Sequence, residues 1–249
     1  MRDFLRALSF ITILPVGQIP LSEGKDLARS MAFFPLVGLL IGLILSLGHY
    51  LLSFIFPKPL VLWFTIGSLA FITRGLHLDG FADTMDGLGS GGKREKILEV
   101  MRDSRIGAFG VFSLILLLGA KYLALDQISS SSVPYALILM TVMGRNSMVL
   151  ACYRSPYARS EEGLARPFTQ NLRVREMVIS LTSAFGIALL LMGFKGMIVF
   201  IGIGLFSLGY RPFFIKRLGG VTGDVLGAAN ELAELLCLIL LVVLKPYLP

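Results

Sequence analysis

The stretch HLDGFADTMDGLGSGGKREKILEVMRDSRIGAFG, residues 77 to 110, is polar and charged within a chain that is otherwise mostly apolar. Asp79, Asp83 and Asp86 stand at i, i+4 and i+7, which at 3.6 residues per turn confines them to an arc of roughly 60° on one helix face. Gly80 and Gly87 border that face on one side and Ala82 on the other, so no bulky side chain separates the acids from an approaching ligand. Like charges at this spacing cost helix stability, and each glycine costs about 1 kcal/mol relative to alanine. Solvation alone is a poor reason to build such a face. A divalent cation is a better one, and Mg²⁺ suits it best, being held by one or two carboxylates together with substrate phosphate oxygens.

Outward from this stretch the chain reads as membrane protein. Of its 249 residues 55% are hydrophobic and only 16% charged, and its mean hydropathy is +0.78. Runs such as Met31–Phe56 hold no Asp, Glu, Lys or Arg and exceed the roughly 20 residues that cross a bilayer. The expected fold is therefore an all-α polytopic bundle forming a single integral membrane domain over residues 1–249. Seven spans are expected: Met31–Phe56, Leu60–Leu76, Gly107–Leu125, Val133–Tyr153, Met177–Phe194, Gly196–Tyr210 and Val225–Leu244. Phe4, Leu8 and Ile11 recur at helical spacing beside Arg2 and Arg6, which predicts an N-terminal interfacial or re-entrant helix over residues 3–14, followed by a polar linker, Ile19–Arg29. No cleaved leader is expected, because Pro15 and Pro20 break the first apolar run. Cys152 and Cys237 lie apart in apolar segments and read as buried thiols.

The net charge of +7 is a topology signal rather than a nucleic-acid signal. Residues 1–30, 74–106, 154–176 and 211–224 together carry 18 Lys and Arg, whereas the opposite side carries three, Lys58, Lys195 and Lys245. That split predicts a cytoplasmic N-terminus, a cytoplasmic acidic segment over residues 77–106, and cytoplasmic loops over 154–176 and 211–224. Contact with lipid is expected and contact with nucleic acid is not; a homo-oligomer is compatible with the pattern.

Further candidates flank the acids. Arg102, Ser104 and Arg105, with the helix start at Gly107, could receive a diphosphate; the alternative is that these arginines anchor the span at lipid headgroups. A second acidic set lies in residues 219–236, where Asp224 and Glu231 are seven residues apart on one face and Glu234 is adjacent. Ionisable groups inside a span are expensive and point to function, although a lateral ion pair with Arg145 or Lys121 would also account for Glu231 and Glu234. His77 projects away from the acidic face, which leaves hydrogen bonding, capping or catalysis open. His49 reads as packing. Arg159, Arg166 and Arg173 could meet either a substrate phosphate or anionic lipid.

The segments FPLVG at 34–38, GLHLDGFADTMDGLGSGG at 75–92, MRDSRIGAFG at 101–110 and RLGGVTGDVLGAANELAE at 217–234 resemble the cobalamin synthases, the adenosylcobinamide-GDP ribazoletransferases. The likeness runs from ILPVG near residue 15 to the last span. It implies a multispan inner-membrane enzyme that uses Mg²⁺ to join adenosylcobinamide-GDP to α-ribazole or its 5′-phosphate, releasing GMP in a late step of cobalamin synthesis. On that reading Asp79, Asp83, Asp86 and Asp224 hold metal, one of Asp83, Asp86 or Glu231 takes the proton, and Arg102, Ser104, Arg105 and Gly107 receive the diphosphate. The rival is a secondary transporter with Glu231, Glu234 and Arg145 lining a path. It requires an inverted repeat, and the sequence shows no internal repeat.

Overall fold

The computed structural model describes residues 1–16 and 24–244, and the described residues are helical apart from turns and one isolated bridge, Tyr157 with Val221. Residues 19–23 of the expected linker, and Lys245, lie outside them. Eleven α-helices are described, with a 3-10 turn Met31–Phe33 leading into the third: α1 Arg2–Ile11, α2 Gly24–Ser30, α3 Phe34–Leu52, α4 Lys58–Ile72, α5 Leu76–Gly89, α6 Arg94–Val100, α7 Ala108–Gln127, α8 Val133–Cys152, α9 Arg166–Asn171, α10 Val174–Leu218 and α11 Gly223–Val243. By length and composition five of these stretches could cross a membrane, or six when α4 and α5, bent by 89° to each other, count as one span. The expected number, seven, also counts α10 as two.

That division of α10 has a physical basis. Along a continuous helix Phe185 and Phe200 would stand about 22 Å apart, yet their ring centroids are 5.4 Å apart. The chain turns back at Gly193, whose φ of 55° and ψ of −133° are not helical. A side chain on Gly196 would be driven into the Ala188 carbonyl, so the two arms pack closely just beyond the turn. Arg211–Asp224, expected as a loop, is helical as far as Leu218 and runs through Pro212; only residues 219–222 connect it to α11. The segment 154–176 likewise contains α9 and the first turn of α10.

The central helix is α8, with 17 of its 20 residues buried. It packs on α3, α10 and α11. Lipid-like surroundings give no hydrophobic force between helices, so close approach depends on small residues. Gly38 and Gly42 of α3 lie against the backbone of Thr141, Val142 and Ile138, and the Thr141 hydroxyl donates to the Gly38 carbonyl at 2.8 Å. On α11, the Ala229 carbonyl accepts from Ser147 at 3.0 Å. Outside this core, Leu190, Leu205, Leu208 and Phe213 are exposed, as lipid-facing side chains should be.

At Gly42 an added Cβ would meet the Ile138 Cα and the Thr141 hydroxyl, whereas at Gly48 on the same helix it would meet nothing within 4 Å. Gly42→Leu is therefore expected to destabilise the detergent-solubilised protein by about 1–3 kcal/mol. Gly48→Leu should leave the unfolding midpoint unchanged, and comparing the two midpoints checks the α3–α8 packing.

Candidate active site

The acidic site is assembled by α5, α7, α11 and the segment after α8. At the bend before α5, Arg74 and Gly75 take left-handed φ values of 54° and 66°. Arg74 reaches back to the Ser9 and Phe10 carbonyls, and Ile13 donates to the Ile72 carbonyl at 2.8 Å, so the bend is tied to α1. Then α5 runs between α7 and α11: Phe81 packs with Leu117 of α7 and Ala228 of α11. The approach to α11 is close enough that a Cβ on Gly80 would stand 2.8 Å from the Asp224 Cα. Gly80 and Gly227 thus serve the meeting of two helices, and that meeting brings Asp224 to the Asp79/Asp83 face.

The four aspartates are not equivalent. Asp86 accepts from the Gly107 and Gly110 backbone N–H groups, both at 2.7 Å, and so caps the start of α7 with its carboxylate. That helix N-terminus, expected to receive a substrate anion, is already filled by the protein's own. Gly107 and Gly110 must be glycine because a side chain at either would strike the Asp86 carboxylate. Asp224 accepts from Arg159 at 2.9 Å and from the Thr222 hydroxyl at 3.2 Å. Asp79 is exposed and Asp83 half-buried, and neither makes a side-chain hydrogen bond or ion pair among the described residues. The charges acting on Asp83 come from Asp79, Asp224 and Asp86, opposed by Arg159. Two unengaged carboxylates inside a like-charged cluster open to solvent are hard oxygen donors of the kind Mg²⁺ takes. As they stand, no three His, Cys, Asp or Glu side chains among the described residues converge on one point.

Arg159 owes its place to long-range pairing. Ala158 donates to the Val221 carbonyl at 3.0 Å and Val221 to the Pro156 carbonyl at 2.9 Å, while Arg94 bonds the Leu218 and Ala158 carbonyls at 2.7 and 2.8 Å. These contacts hold residue 159 over the start of α11. No local signal marks it: the sequence offered it as one of three loop arginines, and its partner segment lies about 60 residues away. The expected phosphate arginines sit further out. Arg105 pairs with Asp103 at 2.8 Å, holding that carboxyl down to about 2, and Arg102 pairs with Glu161 at 2.5 Å; Arg102, Ser104 and Arg105 are all exposed.

Glu231 does not join the aspartates. It is buried with Glu234, and the Lys121 ammonium contacts both at 2.6 Å while Arg145 contacts Glu234. The lateral ion pairs weighed from the sequence are what the structure contains, with Lys121 and Arg145 both taking part. Asn230 adds hydrogen bonds to both glutamates at 3.1 Å.

An all-helical membrane bundle with a carboxylate cluster at one end of its spans has the makings of an enzyme acting on charged groups at a membrane surface. Residues 3–242 match the family described as Cobalamin-5-phosphate synthase, and the chain belongs to that family. Membership makes it a transferase of cobalamin biosynthesis. Similar proteins named adenosylcobinamide-GDP ribazoletransferase occur in Syntrophobacter fumaroxidans (40% identical, covering 94% of this chain and 96% of that one), Geotalea daltonii (38%, with 97% of each covered) and Klebsiella pneumoniae subsp. pneumoniae (39%, with 97% and 99% covered). No solved structure matches.

The different engagement of the acids has a direct consequence for stability. Asp86→Ala removes the cap of α7 and should cost about 1–2 kcal/mol. Asp83→Ala relieves like-charge crowding and should leave the thermal midpoint unchanged or raised. Thermal unfolding of the two purified variants reads the difference.

Proposed function

We propose that the chain transfers the cobinamide-linked phosphoryl group of adenosylcobinamide-GDP to a ribose hydroxyl of α-ribazole or its 5′-phosphate, releasing GMP at the cytoplasmic face of the inner membrane. The observation that carries this reading is the pair Asp79 and Asp83, without hydrogen-bond or ion-pair partners among the described residues, beside an Asp224 held by Arg159. Phosphoryl transfer needs charge neutralised on a diphosphate, an alcohol placed in line and a proton removed.

Asp79 and Asp224 would hold Mg²⁺ with oxygens of the diphosphate. Bound there, the ion supplies neutralisation of phosphate charge. Arg159, already turned to Asp224, is within the same cluster and donates to a phosphate oxygen; Arg102 and Arg105 lie at the outer rim, where the guanosine end would lie. Asp83 accepts the proton of the attacking hydroxyl as its oxygen bonds to the cobinamide-side phosphorus and the bond from that phosphorus to the bridging oxygen breaks, GMP carrying that oxygen away. Asp86 positions α7 through its two backbone contacts. Burial and a bond to Lys121 speak for a structural Glu231, so the proton role is given to Asp83. The transporter reading loses its motive, because the intramembrane acids it needs are neutralised by Lys121 and Arg145 rather than lining an open path.

GMP release from adenosylcobinamide-GDP, measured in liposomes across a Mg²⁺ titration, separates the roles. Asp83→Asn should lower kcat by about a hundredfold or more with the Mg²⁺ requirement unchanged, whereas Asp79→Asn should raise the Mg²⁺ concentration needed for half-maximal rate. A wild-type rate in Asp83→Asn would contradict the assignment.

A further inference from the structure

Next to the acidic rim is a cavity of about 310 Å³, near the lower bound of small-molecule sites, which run from about 300 to 1000 Å³. Its wall is apolar and aromatic: Phe10, Phe34 and Phe168 cluster with centroid separations of 5.0 and 6.2 Å, and Met31 and Met148 line it as well. At its open side stand Asp79, exposed, with Tyr157, Arg159 and Asp224 half-buried. His77 also lines it, is 1% exposed, and among the described residues neither of its ring nitrogens has a hydrogen-bond partner. Buried polar groups are nearly always satisfied, so an unpartnered imidazole in a cavity wall marks a place for a ligand atom.

We propose that this cavity seats the planar fused-ring base of the ribazole acceptor. His77 hydrogen-bonds a ring nitrogen of the base, the Phe10/Phe34/Phe168 cluster packs on its faces, and the sugar extends to the rim where Asp79 and Asp224 stand. The assignment rests on the reaction proposed above and adds where its acceptor binds. Size excludes the corrin ring. Chemistry disfavours guanine, whose edge carries several donors and acceptors, since among the described residues His77 is the one deeply buried polar side chain in this wall. A benzimidazole-type base presents an apolar rim and a single free ring nitrogen, which matches what the wall offers. Seating it here also places the nucleophile: a base held by α5, the α1 end and α9 leaves its ribose next to the carboxylate face rather than in lipid.

The test uses the full-length protein in nanodiscs, with binding of α-ribazole measured by equilibrium dialysis without Mg²⁺ or second substrate, and KM measured for each substrate. Loss of one well-placed hydrogen bond in His77→Leu should weaken α-ribazole binding about tenfold and raise its KM about as much, leaving the KM for adenosylcobinamide-GDP within about twofold. Phe168→Leu should do the same more mildly. On the wild-type protein, free benzimidazole should compete with α-ribazole and guanosine should not, which tests the site even if His77→Leu does not fold. Unchanged α-ribazole affinity in the folded variants, a loss falling on adenosylcobinamide-GDP instead, or competition by guanosine would overturn the proposal. Wild-type protein that binds α-ribazole but releases no GMP would refute the reaction and leave the pocket standing, because binding is read separately from turnover.

Discussion

Everything at the acidic end depends on an ion cluster buried in the interior. Glu234 lies between the Lys121 ammonium and the Arg145 guanidinium, and Glu231 shares Lys121 with it, so that α7, α8 and α11 are joined by charges with almost no exposure. Such groups are worth little as net stabilisation compared with an apolar core, but removing one partner strands another and costs about 3–5 kcal/mol. The cluster is therefore strict about geometry. Because Asp224 and Glu231 share a face of α11, fixing Glu231 against Lys121 also fixes which way Asp224 points about two turns nearer the start of that helix. Asn230, Gly144 and Ser147 tighten the same contact, the glycine leaving room for Asn230 and Glu234.

With α11 locked in rotation, α5 completes the site through small residues. Gly80 faces Asp224 and Gly227 faces His77, which lets the two helices come together where larger side chains would hold them apart. One aspartate, Asp86, is consumed in holding α7; another, Asp224, is held by Arg159 and Thr222; Asp79 and Asp83 are left unengaged among the described residues. A protein that held all four acids in internal bonds would have nothing to offer a cation. One that held none would have nothing to keep them together.

Much of this was legible in the sequence, and the remainder was not for identifiable reasons. The long uncharged runs and the one-faced aspartates are local properties, so a bundle of apolar helices, the acidic face and a break between the spans ending at Phe194 and starting at Gly196 follow from them. The charge density of Arg211–Leu218 reads as a loop, yet the segment is helical, with Arg211 and Arg217 bonding the backbone carbonyls of Arg154 and Gly92. Glu231 resembled Asp224 in spacing alone; depth separates them, and depth depends on where Lys121 and Arg145 arrive from other helices. Asp86 matched its neighbours in periodicity, yet its partners are backbone groups about 20 residues on, which no pattern of side chains reveals. Arg159 and the cavity at His77 need contacts between segments far apart in the chain.

The central claim is that α5 and α11 present one shared cation site. Replacing Mg²⁺ by Fe²⁺ in the reconstituted protein, adding ascorbate and peroxide, and mapping backbone scission tests it directly, since radicals formed at a bound iron cut only nearby chain. The account predicts paired cuts around residues 79–83 and 222–226, both suppressed by excess Mg²⁺ and both lost in Asp79→Asn. Cutting confined to one helix, or centred on Glu231 and Glu234, would contradict it.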